Sequence, residues 1–351
     1  LLLRKGQVVT SERQLASLVE LGLFAEGEQG DHSHKEAPQK RVDPPSVLRM
    51  LNSAQERLGR LLHNLAGEAD VSTKIMDVAK NIFIATTLSP DVAHGCILLN
   101  QKSGSYAVRH CVNTAIVAIS VARIMKKSND ELKAITAAAL TMNVSMLRQQ
   151  DVWQDRTNAL SPAEIEAIKK HPEESVALLK KVGVDNSDWL SFVLAHHENS
   201  EGTGYPLGAG AGQIAQNARI LSFADHYCAS ISMRKYRRTL LPHAALRDVL
   251  MVEGKPHDPL LAACFIKEIG NYPAGTFVRL GTDELGVVIR RGETPGTPLV
   301  QALINPRGVA LTIPIQRDTA KPLFGIREAV LNDGKMLRFS LQQLWGNEAA
   351  L

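Results

Sequence analysis

His196-His197-Glu198-Asn199-Ser200-Glu201-Gly202-Thr203-Gly204-Tyr205-Pro206 is the stretch whose reading decides the fold. Two neighbouring imidazoles rarely both suit a hydrophobic core, and the Gly-x-Gly-Tyr-Pro sequence behind them makes a tight turn. The pair stands near the end of a helix opened by Asp188 or nearby. Other candidate ligands lie on other helical segments: His110 opens the most apolar helix, His171 precedes Pro172 at an expected helix start, and Asp225 lies in Phe223-Ala224-Asp225. A buried carboxylate and several imidazoles on helices of one bundle are what a divalent-metal site requires. Asp225 buried alone would cost several kcal/mol, roughly, so it needs a cationic partner. Any one of these histidines alone reads as a hydrogen-bonded core residue; their joint order points to a site.

Working outward, residues 46–270 carry a helical pattern almost throughout. Val47, Leu48, Leu51, Ala54, Leu58, Leu61 and Leu62 recur at helical spacing. The run from Val112 to Met125 is apolar on nearly every face and belongs in the centre of a bundle. Helix starts are expected at Ser128 or Asn129 and at Ser161-Pro162 with Glu164, and a long helix over about 213–233. After Asn271 the pattern changes to short apolar runs, 276–280, 286–290, 299–303 and 309–313, separated by Gly, Pro and Asn turns. The expected fold is mainly α: a helical bundle over 46–270 and a small antiparallel β domain over 271–351. A short N-terminal α/β segment over 1–25 and a polar linker over 26–45 precede them, with His32 and His34 of the linker read as solvated.

The 351-residue length and 44% apolar content allow two or three domains with sizeable cores. A net charge of +4 does not argue for nucleic acid or a membrane. Cys96, Cys111, Cys228 and Cys264 lie far apart, as expected of buried thiols in a reducing cytoplasm. No uninterrupted apolar run approaches a membrane span, and Leu1-Leu2-Leu3-Arg4-Lys5 is not a signal peptide; without an initiator Met, the chain reads as a fragment.

From about Ser105 to Arg238 the chain resembles the HD-GYP family, bacterial phosphodiesterases that hydrolyse cyclic-di-GMP. The residues that carry this are His110, His171-Pro172, His196-His197-Glu198, the Gly202-to-Pro206 turn, Ala218-Arg219-Ile220, Ala224-Asp225 and Arg234-Lys235-Tyr236-Arg237, with Leu160-to-Glu166 as a helix start. The resemblance implies an HD-type helical bundle and a centre of divalent metal (Fe, Mn or Zn). It gives His110, His171, His196, His197 and Asp225 as metal ligands. The Gly202, Gly204, Tyr205 and Pro206 loop becomes a nucleotide contact or a docking loop for a partner such as a diguanylate cyclase domain. Arg234, Lys235 and Arg237 read equally as a solvated basic helix end or as a phosphate clamp.

The departures fall on the chemistry. Met142 and Asn143 stand where the family has its His-Asp pair; a thioether is a weak ligand, and a neutral amide cannot bridge two dications. Ser145 and Met146 replace a Gly and a Lys, and Tyr106 replaces a Glu that some members use for a third metal. One metal position keeps only His110 and Asp225; the other keeps three imidazoles. The expectation is one ion or none, impaired hydrolysis, and action through nucleotide or partner binding. An active metal-dependent cyclic-di-GMP phosphodiesterase with Asn143 as a poor ligand is the first alternative, and a metal-free scaffold the second. Arg279, Arg290, Arg291, Arg307 and Arg317 raise RNA binding by the β region, but too few exposed aromatics accompany them, so no nucleic-acid role is expected.

Overall fold

The computed structural model describes residues 44–100, 104–210, 212–233, 239–252, 255–256, 258–294, 296–331 and 339–351. The N-terminal segment, nearly all of the linker with His32 and His34, and Arg234, Lys235 and Arg237 lie outside the described residues.

Helix α1 (Val47–His63) starts at Ser46, whose side chain accepts the Arg49 N–H, and it buries the stripe seen in the sequence. Helices α2 (Val71–Leu88) and α3 (Pro90–Leu99) follow. Helix α4 (Tyr106–Ile124) is the axis of the bundle: residues 106–122 are all buried. By length and composition this helix could cross a membrane, but 89% of its apolar window is buried inside the protein. Its apolarity is that of a core helix surrounded by other helices.

Helix α5 (Asn129–Thr141) opens with a capping box between Ser128 and Glu131. After a short turn and α6 (Leu147–Gln154), helix α7 (Pro162–Lys181) opens with a second capping box, Ser161 with Glu164, and with Pro162 in its first turn. Proline suits that turn because its missing N–H has no helical acceptor there. Helix α8 (Ser187–Ala195) is capped by Asn186, one or two residues before the expected start. Helix α9 (Gln216–Ile231) is shorter at both ends than expected, and α10 (Pro242–Leu250) follows it. A small hairpin, β1 (Met251–Val252) with β2 (Lys255–Pro256), leads to α11 (Pro259–Ile269). Gly270, at φ 68°, ends that helix in a backbone region that favours glycine.

The C-terminal part is an antiparallel sheet of five strands, β3 (Phe277–Leu280), β4 (Leu285–Arg290), β5 (Leu299–Ile304), β6 (Ala310–Asp318) and β7 (Ile326–Val330), in the order β6-β5-β4-β3-β7. The four strands of the sequence reading are present; β7, Ile326-Arg327-Glu328-Ala329-Val330, is added at the β3 edge. Alternation along the strands puts Phe277, Val287, Ile289 and Leu303 in one apolar cluster, and Val278, Leu280, Val288 and Val300 in another. The sheet packs directly on the helices. Trp345, in α12 (Leu341–Trp345), donates its indole N–H to the Ile289 carbonyl at 2.7 Å, and Arg291 reaches Glu268 at 3.0 Å. Residues 44–351 accordingly form one compact unit, and position 270 marks a change of secondary structure without a gap in the packing. Three of the arginines that raised RNA binding are held by carboxylates: Arg279 by Glu328, Arg291 by Glu268 and Arg317 by Glu284.

Candidate metal centre

The bundle brings His110, His171, His196, His197 and Asp225 together from four helices. His110 of α4 faces Asp225 of α9 across the core, with Nε2 at 2.6 Å from the carboxylate, so the buried Asp has a hydrogen-bonding partner. Burial opposes ionisation of Asp225. The hydrogen bond and charge of His110, with His197 and His226 beyond, outweigh it and hold the carboxyl well below its usual range. Tyr106, one turn before His110, stacks on that imidazole with ring centroids 5.8 Å apart.

His171 is in the middle of α7, not at a helix start. Pro172 has no N–H to give the carbonyl of Ile168, and the His171 Nδ1–H takes that carbonyl instead, at 2.5 Å. His196, at the end of α8, donates its own Nδ1–H to the Val193 carbonyl at 2.6 Å, one of the acceptors a helix end leaves open. Both rings are thereby fixed with the proton on Nδ1, the tautomer assigned by these partners. Their Nε2 atoms face each other at 3.1 Å. In neutral rings of this tautomer each Nε2 carries a lone pair and neither carries a hydrogen. Two such atoms this close call for a cation.

Protonation is an expensive way to supply one here. Burial, and then the neighbouring His196, push His171 down to about 3, and burial also lowers His196 and His197. His197 completes a trio whose ligand atoms all lie within 4.8 Å of one another. The donor set fits a borderline divalent ion: three neutral imidazoles, two of them oriented by backbone carbonyls. His197, Asp225 and His226 form a second such set. His226 was not singled out in the sequence; its one signal was its place directly after Asp225.

Where the His-Asp pair would stand, Met142 is fully buried in the apolar core and Asn143 is 2% exposed. The Asn143 Oδ1 atom has no hydrogen-bond partner among the described residues. Ser145, in the next turn, is tied to α7 through the His171 carbonyl and the Ser175 hydroxyl, both at 3.0 Å. Met146 precedes α6 and brings no charge. Met142, Asn143, Ser145 and Met146 thus bring no charged side chain to this segment beside α7.

The glycine loop folds over the trio. Glu198, 3% exposed, accepts the backbone N–H groups of Leu207 at 2.6 Å and Ala209 at 2.8 Å. Sequence reading gave this residue no role of its own. Tyr205 stacks its ring on His197 with centroids 4.7 Å apart, and the Tyr205-Pro206 peptide is cis. Gly204 has no room for a side chain: a Cβ there would lie 2.5 Å from the His197 carbonyl oxygen and 2.6 Å from the Asn199 nitrogen. Gly204→Ala is therefore expected to destabilise the protein by about 1–3 kcal/mol, the usual range for overpacking against atoms that cannot yield. Urea unfolding checks this, and a midpoint unchanged from wild type would show the loop to be plastic.

A family described as an HD domain matches residues 96–259. The cyclic di-GMP phosphodiesterase PA4108 of Pseudomonas aeruginosa is 27% identical over 243 residues, 69% of this chain and 58% of its own length. The cyclic di-GMP phosphodiesterase PdeB of Borreliella burgdorferi is 26% identical over 206 residues, 58% of this chain and 54% of its own. The 3'3'-cGAMP-specific phosphodiesterase 3 of Vibrio cholerae is 25% identical over 276 residues, 75% of this chain and 57% of its own. The chain thus spans a little over half the length of these relatives. Among solved structures, Bd1817, an HDG"Y"P protein from Bdellovibrio bacteriovorus, has a TM-score of 0.53 at 14% identity and covers 66% of this chain and 74% of its own, which shows a shared fold. The matched HD region, these relatives and the ordered histidines agree in supporting the HD-GYP family of HD-domain proteins for this chain.

Proposed function

We propose that this is a bacterial cyclic-di-GMP signalling protein that keeps one metal seat, has lost the second, and acts by binding nucleotide or partner with hydrolysis impaired. The observation that carries this reading is the facing pair of Nε2 atoms on His171 and His196, with His197 beside them, in a chain whose His-Asp position holds Met142 and Asn143. One divalent ion, Fe, Mn or Zn, would be held by the trio. A bound ion there supplies a Lewis acid and an acidified water. The chain's own residues orient the imidazoles, and the Glu198-clamped loop closes over them with Tyr205 against His197. Gly202, Gly204, Tyr205 and Pro206, with Arg234, Lys235 and Arg237, are the proposed contacts for a cyclic dinucleotide or for a partner such as a diguanylate cyclase domain. The names of the relatives support that substrate class, since each is a phosphodiesterase of a cyclic dinucleotide. In this reading residues 46–270 bear the site and 271–351 are an accessory module. The reducing cytoplasm is its proposed place, in keeping with four free, buried cysteines.

Elemental analysis and a hydrolysis assay on one sample test the reading. At most one ion per chain is expected, with cyclic-di-GMP binding in calorimetry and no linear dinucleotide or GMP formed with added Mn or Fe. Two ions per chain together with product would overturn it. The orphaned Oδ1 of Asn143 favours one second reading, an active phosphodiesterase in which this amide oxygen is a weak neutral ligand.

A further inference from the structure

We propose that His226 is a metal-ligating residue, forming with His197 and Asp225 an outer seat for the same single ion that the trio holds in an inner seat. This deepens the reading of a one-ion centre and rests on it. The ligand atoms of His197, Asp225 and His226 lie within 4.8 Å of one another, as do those of His171, His196 and His197. His226 is exposed, yet its ring is set beside His197 with centroids 5.7 Å apart and planes at 31°, on the same turn of α9 as Asp225. This places an exposed imidazole beside the half-buried ring of His197 and next to the buried carboxylate of Asp225.

The two seats differ in chemistry. The inner seat offers three imidazoles, two of them buried, and no negative charge. A dication there must replace its hydration with neutral nitrogen donors, which suits zinc. The outer seat offers two imidazoles and a carboxylate, with one ligand exposed, so an ion there keeps water and gains a charge-bearing oxygen. That set suits manganese. His197 belongs to both seats, so one ion occupies one seat at a time. His226 thus gives back to the centre a ligand beside Asp225, at a position different from the missing His-Asp pair.

Chelator-competition titrations of the full chain with zinc and with manganese, each confirmed by elemental analysis, test this on wild type, His226→Gln and His196→Gln. His226→Gln is expected to weaken manganese binding by at least about tenfold and to leave zinc within about twofold. Nitrogen couplings in the electron spin-echo spectrum of bound manganese should fall from two imidazoles to one. Unchanged manganese affinity and couplings in His226→Gln would overturn the outer seat, whatever zinc does. The trio reading fails by a different result, zinc binding unaffected by His196→Gln. His226 is exposed, so its replacement is expected to fold, and circular dichroism of each variant verifies that.

Discussion

Replacing Met142 by His and Asn143 by Asp together is expected to raise the metal content from one ion per chain to two. Hydrolysis of cyclic-di-GMP should rise by at least about a hundredfold over the wild-type background. The effect is large because Met142 and Asn143 offer neither a nitrogen ligand nor a negative charge, and the replacement pair supplies both. His110 and Asp225 are already within 2.6 Å of each other, so half of a second seat exists. Either replacement alone is expected to be worse than none. Asn143→Asp alone would put a carboxylate at a position 2% exposed, beside no added cation ligand. Met142→His alone would put an imidazole in a fully buried thioether site. Each single variant should lose stability by a few kcal/mol, roughly, and the double variant with metal should recover it. That non-additivity separates a rebuilt site from two tolerated substitutions. Metal content is read by elemental analysis and turnover by chromatography of the linear product. A double variant that folds and still holds one ion would reject the idea that the pair alone limits the second seat. Two ions without product would place the remaining defect at Ser145 and Met146, where the family has a Gly and a Lys.

Much of the fold and some of the centre were legible in the residues. Ser128 or Asn129, and Ser161-Pro162 with Glu164, announced two helix starts, and the structure closes both with capping boxes, Ser128 with Glu131 and Ser161 with Glu164. The apolar run of α4 announced a central helix because burial on all sides needs apolar residues on all sides. The position of His171-Pro172 was misread because proline breaks helical hydrogen bonding. The structure shows that His171 itself supplies the donor that Pro172 lacks, a compensation made by a side-chain rotamer. Strand β7 was missed because a short edge strand carrying Arg327 and Glu328 has no apolar alternation to betray it. Its pairing depends on β3, far away in the sequence. His226 and Glu198 escaped notice for the same kind of reason. A histidine after an aspartate, and a glutamate in a polar loop, gain meaning only when tertiary contacts bring His197 and the amides of Leu207 and Ala209 to them.

Trp189→Ala is expected to cost about 3–5 kcal/mol and to weaken zinc binding by the proposed trio, although Trp189 is not part of it. It is the largest fully buried side chain of the described residues, at 0% exposure, and it stands in the first turn of α8. Its indole N–H reaches the Thr141 hydroxyl at 2.8 Å, at the last residue of α5 before Met142. Thr141 in turn donates to the Ala137 carbonyl at 2.7 Å, so the indole is locked to the α5 backbone through one hydroxyl. Trp189 thus sets how the helix capped by His196 lies against the segment that carries Met142 and Asn143. An alanine there leaves a cavity of side-chain size in a close-packed interior, and α8 must shift to fill it. The facing Nε2 atoms of His171 and His196 are 3.1 Å apart, so a displacement of even an ångström would spoil the proposed seat, since metal–ligand distances vary by only about 0.2 Å. Trp189→Phe keeps most of the ring and loses the N–H, and should cost only about 1–2 kcal/mol while keeping zinc affinity within a few-fold. Urea unfolding of the metal-free forms gives the stability difference, and zinc competition below the unfolding midpoint gives the affinity. If the Ala variant loses stability as expected but binds zinc like wild type, the trio is held by its own carbonyl contacts and the packing of α8 is irrelevant to it. If both quantities fall together, and the Phe variant restores both, the packing of α8 on α5 is what keeps the proposed metal seat in shape.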